Sequence, residues 1–297
     1  DYIELIKEQL PDITDEQILT EPARKNTAPC IAYSAFKIHK INPEANIIVA
    51  PSDHIILNEE EFVRITDLAT DFVSTNNALC TLGIRPTRPD TGYGYIQYFE
   101  AAASEGIHKV KTFTEKPKKE VAKQFIDSGD FVWNAGIFIW NVKSILQSLE
   151  KNLLEVYDAF VEAEPSMLSA DENNAVEKAF ITCPSISIDY GIMEKADNVY
   201  TLPSSFGWSD LGTWASLFAE KEKDYLNNAV NGKNVVVYDS SNNIINVPDN
   251  KLVVIQGLEN YIVVDTEDVL LICNKDEEQR IKEFTRDIKA KKGEKYL

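Results

Sequence analysis

The amino-acid sequence predicts an α/β protein with a second, smaller module built from β-strands. Up to about residue 226, patterns typical of helices and strands alternate along the chain, as expected for a parallel sheet with helices on both faces. Beyond that residue the helical patterns stop, and short β-type runs follow at intervals of about eight to ten residues. A chain of 297 residues is long enough for two such modules. We therefore predict domains at residues 1–226 and 227–297.

The first module begins with a helical pattern at residues 1–9 and a short strand at 18–20. A helix at 27–41 leads to the run 46–50, whose central Ile and Val predict a buried parallel strand. The later strands are predicted at 78–84, 93–99, 108–114 and 133–140, and the later helices at 59–73, 117–127, 142–149, 153–163 and 171–179.

The second module contains five β-type runs, at 235–238, 243–247, 252–256, 261–265 and 269–273, and a closing helix at 276–291. Their spacing fits either a small β-sandwich or a few coils of a β-helix. Apolar residues alternate within the runs, as in strands with one inward face. Because no acid–base constellation occurs here, we expect a structural role and assembly into a homodimer.

Composition and charge argue against two classes of function. Hydrophobic residues make up 44% of the chain and charged residues 26%, which is typical of a globular protein. The formal net charge is −18 at pH 7. No basic run offsets this charge, so binding to nucleic acid or to an anionic membrane surface is not expected. An anionic substrate would therefore need Lys or Arg residues placed locally.

The cysteines suggest a reducing compartment. They lie far apart and form no CxxC pair; they are Cys30, Cys80, Cys183 and Cys273. Cys30 and Cys80 lie in apolar surroundings, which predicts buried, reduced thiols. We therefore expect a cytoplasmic protein. No apolar stretch reaches the length of a membrane span.

Two aspartates are candidate metal ligands. Asp53 follows the run 46–50 directly, and open α/β sheets bind ligands beyond the carboxyl ends of their strands. Its carboxylate could therefore meet a phosphate-bearing substrate and its metal. Asp210 is a second acid, placed just before a predicted helix start. The alternative for both is N-capping, by Ser52 or Asp53 in one case and by Ser209 or Asp210 in the other.

The loop at residues 21–29 is a candidate nucleotide site. The carboxylate of Glu21 could accept hydrogen bonds from the N1–H and the exocyclic amine of guanine. Arg24 and Lys25 give the acidic chain a local positive site, and the following helix start adds amide donors for an anion. The alternative is that Glu21 is an ordinary surface residue.

Three further stretches suit a sugar phosphate. Gly92, beside Tyr93, would let the backbone approach a hydroxyl-rich ligand closely, although a tight turn explains the same residues. Glu115 could accept hydrogen bonds from sugar hydroxyls while Lys116 pairs with a phosphate, unless both belong to an exposed turn. Asn134 lies inside an apolar strand and needs a partner, which either a sugar hydroxyl or a strand bulge could supply.

These residues belong to ordered motifs between residues 21 and 214: EPARKNTAP, PSDH, TGYGYI, FTEKP, WNAGIF, SIDYGIMEK and GWSDLGTW. The set resembles the mannose-1-phosphate guanylyltransferases of the sugar-nucleotide pyrophosphorylase superfamily. The resemblance implies a Rossmann-like nucleotidyltransferase domain with a mixed, mainly parallel sheet, and a short C-terminal left-handed β-helix. It also implies transfer of GMP from GTP to mannose 1-phosphate, which gives GDP-mannose and pyrophosphate.

The resemblance assigns roles to the candidate residues. Asp53 and Asp210 would hold Mg²⁺, and Lys116 would neutralise the sugar phosphate; these three are the expected catalytic residues. The expected substrate-binding residues are Glu21, Asn26, Thr27 and Ala28 at the base, and Gly92, Tyr93, Glu115, Asn134 and Tyr190 at the hexose. For Tyr190, packing in an aromatic core is the alternative.

The chain departs from the family pattern in one respect. The family's Gly-rich loop, with its Arg and a later Pro-Lys, is absent, and we expect on the order of 50–60 further residues upstream of Asp1. Two alternative functions remain. One is a related enzyme with another base or sugar, although Glu21 disfavours thymine, which offers one donor on its pairing edge. The other, favoured by the missing loop, is a non-catalytic regulatory subunit that binds sugar nucleotides.

Overall fold

The structure is a computed structural model that describes residues 2–296, apart from the side chains of Ala215 and Glu220. It divides into two compact units. The first unit comprises the chain up to Ser52 together with Ile56–Trp208, and the second comprises Asp53–Ile55 together with the chain from Ser209 onward. The domain boundary expected between residues 226 and 227 remains a prediction about folding domains.

The first unit alternates helices and strands. Its helices are α1 (Ile3–Gln9), α2 (Thr27–Ile41), α3 (Glu59–Thr75), α4 (Lys119–Ser128), α5 (Val142–Asn152), α6 (Leu154–Ala163) and α7 (Glu172–Thr182). Its strands are β1 (Asn46–Val49), β3 (Leu79–Ile84), β4 (Gly94–Ser104), β5 (Ile107–Glu115), β6 (Phe131–Asn141) and β7 (Val199–Ser204). Two short strands, β2 (Ile55–Ile56) and β8 (Trp208–Ser209), pair with each other where the chain passes from one unit to the other.

The first unit contains a mixed six-stranded sheet in the order β1-β6-β3-β7-β5-β4, and β4 also pairs with β6. Among the described strands of this sheet, β3 and β7 form the parallel pair, and the other pairings are antiparallel. The mixed sheet that the resemblance implies is therefore confirmed, but the expectation that it is mainly parallel is wrong for the described strands. The strand alternation did not reveal that β5 and β6 run against their neighbours, because long-range pairing sets strand direction.

Strand β1 differs from its prediction as a buried parallel strand. It lies at the edge of the described sheet and pairs antiparallel with β6. Ile48 is 48% exposed. The prediction was wrong because an apolar run identifies a strand without identifying its neighbours.

Helices cover both faces of this sheet, as predicted. On one face, α2, α5, α6 and α7 pack on a core that includes Leu79 and Trp140. On the other face, α3 packs on a core that includes Cys80 and Ile139. Adjacent strand residues thus enter opposite cores, which is the period-two alternation of a sheet covered on both sides.

Two local predictions were wrong. Residues 18–20 form no strand; Ile18 instead ends a 3₁₀ turn at Asp15–Gln17, and its N–H donates to the carbonyl of Asp15. Cys30 is half-buried rather than buried. It lies in the first turn of α2, near the exposed loop, so apolar neighbours in sequence do not enclose it.

The helices of the second unit are α8 (Trp214–Glu220), a 3₁₀ helix at Lys275–Arg280, α9 (Ile281–Lys292) and a 3₁₀ helix at Glu294–Tyr296. Between them lie β9 (Ala229–Asn231), β10 (Val235–Tyr238), β11 (Ile244–Asn246), β12 (Val253–Gln256), β13 (Tyr261–Asp265) and β14 (Leu270–Asn274). Strand β10 stacks parallel on β12, and β11 stacks parallel on both β9 and β13. This stacking confirms the β-helix over the β-sandwich for these five strands, while β14 pairs antiparallel with β13 and does not continue the stack. The left hand of the β-helix remains a prediction.

Asparagines at the corners of the β-helix form what we call the asparagine ladder: Asn227, Asn228, Asn242, Asn243 and Asn260. Asn227 donates to Asn242, and Asn242 donates to Asn260, each at 3.0 Å. All three of these residues have φ between 58° and 65°, a region that asparagine tolerates better than most residues. The pairing of these asparagines was not predicted from the sequence.

Candidate active site

Glu115 and Lys116 lie where β5 ends, before Pro117. The Lys116 backbone is left-handed (φ 49°), and its N–H donates to the carbonyl of Tyr93 at 3.2 Å. The Lys116 ammonium is 3.0 Å from Glu115 Oε1; the Glu115 side chain is 9% exposed and the Lys116 side chain 54%. The turn therefore buries the acid and leaves the base accessible to a ligand.

One oxygen of Glu115 has no partner within the described part of the chain. Glu115 Oε2 is buried and accepts no hydrogen bond. Burial, followed by the charge of Asp189, raises the pKa of this carboxyl group. Gly94 faces it closely, since a Cβ at that position would lie 2.4 Å from Oε2. Buried unpaired acceptors are rare in native proteins, so this oxygen is a candidate acceptor for a ligand hydroxyl.

Most of the hydrogen-bonding capacity of the Asn134 side-chain amide is used by other protein groups. Its Oδ1 accepts hydrogen bonds from the hydroxyl of Thr81 at 2.9 Å and from the N–H of Gly136 at 3.1 Å. Its Nδ2 donates to Asp189 Oδ1 at 2.9 Å. The register of β6 with β3 shifts at this point, which marks a bulge. The bulge partly explains why a polar residue occurs in this apolar strand. Asn134 therefore orients Asp189.

Asp189 is a candidate residue that the sequence analysis missed. It begins a π-helix at Asp189–Met193, a geometry that is rare and frequent at functional sites. Burial raises the pKa of its carboxyl group, which lies within electrostatic reach of Lys116 and Glu194. The available signal was an acid next to Tyr190 in the motif SIDYGIMEK, of which only the tyrosine was selected.

Two more groups complete this part of the site. Glu194 Oε1 accepts a hydrogen bond from the backbone N–H of Glu115 at 3.0 Å. Tyr190 is 44% exposed, and burial, followed by the charge of Glu115, raises the pKa of its hydroxyl group. Packing in an aromatic core does not account for a side chain this exposed. We call Glu115, Asp189 and Glu194 the carboxylate cluster.

The loop before β4 is braced by an ion pair. Arg88 Nη2 lies 2.9 Å from Asp90 Oδ2, and the Arg88 guanidinium lies over the ring of Trp133 at 5.2 Å. Asp90 Oδ1 accepts a hydrogen bond from the N–H of Gly92 at 2.8 Å. The ring of Tyr93 is 6% exposed and packs edge-on against Trp133. The brace fixes the segment that carries Gly92 and Tyr93, whose substrate contacts remain predictions.

The predicted base-binding residues tie their loop to the segment before Asp189. Asn26 caps α2 by accepting a hydrogen bond from the N–H of Thr27 at 2.9 Å. Thr27 Oγ1 accepts the N–H of Ile188 at 2.9 Å, and the buried Ala28 donates its N–H to the carbonyl of Ile186 at 3.1 Å. These contacts give all three residues a structural role, and their contact with a nucleotide stays a prediction.

Glu21 lies on the exposed side of the same loop. Burial raises the pKa of its carboxyl group, although a hydrogen bond from the Cys30 thiol acts in the opposite direction. The Cys30 thiol has its pKa raised to about 11 by burial and by Glu21, so this thiol is protonated at neutral pH. Glu21 therefore has a protein partner, but a weak one.

Neither candidate metal ligand is a helix cap. Helix α3 is capped by Asn58, which accepts a hydrogen bond from the N–H of Glu61. Helix α8 is capped by Thr213, whose hydroxyl accepts from the N–H of Ser216. The capping alternatives for Asp53 and Asp210 are therefore wrong.

Asp53 and Asp210 both lie in the second unit, and the charges of both act on the same histidine. Burial lowers the pKa of His54, while the charges of Asp53 and Asp210 act to raise it. His54 Nε2 is 4.0 Å from Asp53 Oδ1, and the Asp53 side chain is 85% exposed. Asp210 Oδ1 accepts the N–H of Gly212 at 3.0 Å. Both carboxylates are thus within reach of one imidazole.

A metal ion held by Asp53 and Asp210 would need further ligands from outside the described residues. Within residues 2–296, no group of three or more His, Cys, Asp or Glu side chains is arranged to hold a metal by itself. Mg²⁺ is commonly bound by one or two carboxylates together with waters and substrate phosphates rather than by an all-protein cage. No helix in the same range is long and apolar enough to cross a membrane.

Both modules match known families. Residues 2–227 match the nucleotidyl transferase family, and residues 233–287 match the MannoseP isomerase/GMP-like beta-helix domain. A crystal structure from Thermus thermophilus, described as a mannose-1-phosphate geranyltransferase, is similar with a TM-score of 0.79 and 26% identity, covering 96% of this chain and 81% of that one. The sheet and the β-helix are therefore shared with a solved structure over nearly the whole chain.

Curated relatives are similar over the same extent. The alginate biosynthesis protein AlgA of Pseudomonas putida is 37% identical over 292 residues, which cover 97% of this chain and 60% of the relative. The mannose-1-phosphate guanylyltransferase of Salmonella muenchen is 34% identical over 291 residues, which cover 96% of this chain and 61% of the relative. The chain thus spans about 60% of the length of the curated relatives that it matches.

Proposed function

Because the chain belongs to the nucleotidyl transferase family, we propose that the protein transfers GMP from GTP to mannose 1-phosphate, giving GDP-mannose and pyrophosphate. The observation that carries this proposal is the pair of Glu115 and Lys116. A buried carboxylate oxygen without a partner suits a sugar hydroxyl, and the accessible ammonium beside it suits the phosphate of the same sugar. The name of the Salmonella relative supports mannose 1-phosphate as that sugar.

The reaction requires positioning more than covalent chemistry from the protein. A phosphate oxygen of mannose 1-phosphate attacks the α-phosphorus of GTP, and the bond from that phosphorus to the β-phosphate oxygen breaks as pyrophosphate leaves. Lys116 neutralises the attacking phosphate and aligns it. Glu115 and Asp189 accept hydrogen bonds from the hexose hydroxyls, and Asn134 holds Asp189 in place. Glu21 accepts hydrogen bonds from guanine.

Mg²⁺ is the cofactor that we propose. Asp53 and Asp210 would hold it, because the charges of both act on His54 and neither residue caps a helix. When bound, the ion neutralises charge on the phosphates that react. The two aspartates supply protein oxygens, and the phosphates of the substrates supply further ligands.

We also propose a cytoplasmic homodimer. Four free cysteines suit a reducing compartment. Val236 and Val254 are paired neighbours on β10 and β12, and they are 37% and 59% exposed, next to Tyr238 at 56%. A second copy would cover this apolar strip. Val254→Lys should therefore give monomers in analytical ultracentrifugation, with the thermal melting curve of the first unit retained; an unchanged oligomeric state would exclude this strip as the interface.

Steady-state kinetics on the full-length protein test the reaction, with GDP-mannose and pyrophosphate followed by ³¹P NMR. Lys116→Ala should raise the KM for mannose 1-phosphate and lower kcat, because one charge both captures and aligns the phosphate. Lys116→Arg should restore only part of the rate, since a planar fork replaces a compact charge. Lys118→Ala, two residues away and also exposed, is the matched control and should behave as wild type.

Each other outcome has a defined meaning. A defect confined to the KM for GTP would place Lys116 at the nucleotide and reverse the proposed orientation of the substrates. Turnover with another sugar phosphate or another nucleoside triphosphate in preference would identify a related transferase. Binding of GDP-mannose without turnover of any such pair would identify a regulatory subunit.

A further inference from the structure

A cleft of about 650 Å³ lies in the first unit, away from the carboxylate cluster. Its walls come from the residues after β3, from β4, from the start of β6 and from the end of β7. None of the residues that line it belongs to the carboxylate cluster or to the predicted site. The volume is within the range of about 300–1,000 Å³ that is typical of small-molecule sites.

The position of the cleft in the sheet is one that favours ligands. Strands β3 and β7 form the parallel pair of the described sheet, in register from Leu79 with Val199 to Ile84 with Ser204. The cleft is lined by Arg85 and Pro86, directly after β3, and by Ser205, directly after β7. It therefore lies beyond the carboxyl ends of two adjacent parallel strands, where open α/β sheets bind their ligands.

The cleft contains an arginine side chain that has no partner among the described residues. Arg85 is exposed and makes no hydrogen bond, ion pair or ring contact with any residue in the described range. Arg88, three residues later, is fully engaged with Asp90. In a chain with a net charge of −18, an unpaired guanidinium at the mouth of a cleft is a suitable site for an anion. The planar guanidinium matches phosphate geometry particularly well.

Two aromatic rings also line the cleft. Tyr98 and Phe131 both line the cleft and are half-buried. Phe131 is stacked on Phe125 at 4.0 Å, and Tyr98 packs against His108 at 4.9 Å. Each ring therefore packs against another aromatic ring. Such rigid aromatic surfaces bind flat heterocycles by stacking.

We propose that this cleft binds a nucleotide, with its phosphate on Arg85 and its base against Tyr98 and Phe131. The ligand combines the two features that the walls offer, a flat ring and an anion, and Ser205 adds a hydroxyl that has no partner among the described residues. The cleft is a second site, separate from the one that carries the proposed reaction, and its occupancy does not depend on that reaction.

The cleft is also connected to the predicted site through a short braced segment. Arg85 begins the loop whose later residue Asp90 holds the N–H of Gly92. On the other wall, the chain after Ser205 continues to Trp208, whose ring packs against Tyr93 at 5.4 Å. A nucleotide in the cleft therefore contacts the first residues of two segments that lead to the predicted substrate residues.

Isothermal titration calorimetry of the full-length protein tests the proposal, with AMP as the probe. AMP carries a purine and a phosphate but lacks the guanine edge that Glu21 is predicted to read. Adenosine and ribose 5-phosphate are the matched probes, since each lacks one of the two features. AMP should bind at least about tenfold more tightly than either, because both the stacked ring and the charge-assisted contact contribute.

Two variants and one control locate the binding. Arg85→Glu should weaken AMP binding at least about tenfold, and Ser205→Trp, which fills the cleft without changing its charge, should abolish it. Lys123→Glu makes the same charge change on the exposed face of α4, outside the cleft, and should bind AMP within about twofold of wild type. Thermal melting checks that each variant is folded.

Hydrogen exchange gives an independent location. AMP should slow exchange in peptides that cover residues 85–86, 126–132 and 203–205, and leave peptides that cover 115–116 and 189–190 unchanged. Three results would overturn the proposal: no binding of AMP by the wild type, equal losses in Arg85→Glu and Lys123→Glu, or equal affinity for AMP and ribose 5-phosphate. The last result would show that the aromatic wall contributes nothing.

Discussion

The asparagine ladder of the second unit and the carboxylate cluster of the first unit both hold buried polar side chains, but they pair them differently. Asn243 is fully buried, and its amide donates to Asn228 and to the carbonyl of Leu258 and accepts the N–H of Tyr261. Glu115 is almost as buried, yet its Oε2 accepts no hydrogen bond within the described chain.

The difference separates polar groups that hold the fold together from those available to a ligand. In the β-helix, a buried asparagine amide forms hydrogen bonds with residues of the neighbouring coils. Its burial therefore costs little free energy. An unpaired carboxylate oxygen carries a desolvation cost that no contact within the described structure offsets. Burial of polar residues alone therefore does not identify a site. At Glu115 the candidate ligand site is indicated by a buried acceptor without a described partner next to the accessible ammonium of Lys116.

The largest effect is expected at the candidate metal ligands. Asp53→Asn and Asp210→Asn should each reduce turnover by several orders of magnitude, because a missing ligand charge costs several kcal/mol of transition-state stabilisation. Binding of Mn²⁺, followed by electron paramagnetic resonance, should weaken in parallel, while thermal melting changes little. Asp268→Asn, an exposed acid of the same unit, is the control. Near-wild-type turnover in either variant would remove that residue from the metal site.

The asparagine ladder should respond in the opposite way. Asn243→Ala should lower the free energy of unfolding by about 2–4 kcal/mol, because it leaves several buried partners unpaired. Turnover per folded molecule should stay unchanged. Asn246→Ala is the matched control: that amide accepts one hydrogen bond, from the exposed Asn231, and its loss should cost less than about 1 kcal/mol. Equal costs in urea denaturation would show that burial of the ladder is not what stabilises it.

In its hydrogen bonding, Glu21 is intermediate between the asparagine ladder and Glu115, because its partner is a thiol, which is a weak donor. Glu21→Gln should reduce the preference for GTP over ATP by about 1–3 kcal/mol in kcat/KM, because a guanine donor loses its acceptor. The KM for mannose 1-phosphate should not change. Cys30→Ala removes the thiol that donates to Glu21 and should alter the preference far less. An unchanged preference in Glu21→Gln would place base recognition elsewhere.

The smallest effect is a gain in stability at the carboxylate cluster. Burial raises the pKa of Glu115 in the folded protein, so the folded state holds this proton more tightly than the unfolded state. Between the ordinary pKa and the raised one, stability falls as pH rises, and the full penalty persists above the raised value. Glu115→Gln should remove that penalty, and its stability advantage in urea should grow from pH 4 to pH 7.

A control separates this effect from a general loss of negative charge. Glu120→Gln changes the same charge at an exposed position in the first turn of α4, and its stability difference should stay small at every pH. Glu115→Gln should also lose turnover, since the acceptor for the hexose weakens. A stability difference that shrinks with rising pH would show that the folded protein favours the charged form of Glu115.

The sequence predicted most elements because their periodicity is local. Strands β10 and β13 begin and end where the alternating Val and Ile runs predicted, at Val235–Tyr238 and Tyr261–Asp265. Strand 18–20 was predicted from a three-residue run, which is too short for periodicity to distinguish a strand from the end of a turn. Whether a strand lies at the edge or in the centre of a sheet, and whether it runs parallel or antiparallel to its neighbours, depends on its pairing with other strands. The position of β1 in the sheet was therefore predicted wrongly.

The same distinction holds within the site. The motif around Glu115 and Lys116 is contiguous, and its residues are paired in the structure. Gly94 and Asp189 were not selected, because their importance comes from neighbours that are distant along the chain: Gly94 faces Glu115, and Asp189 is held by Asn134. Only the fold reveals that a glycine is needed to make room for a carboxylate.

The sequence alone determined the alternation of helices and strands, the change to a β-helix and the set of acidic, basic and amide residues suited to a sugar phosphate. These follow from residue type and spacing, which are local properties. The tertiary structure decided which polar groups are paired. Hydrogen bonds between distant residues satisfy the asparagine ladder and leave Glu115 Oε2 and Arg85 without protein partners among the described residues. Unpaired groups are visible only when all their neighbours are in place, because a missing partner is a property of the whole fold.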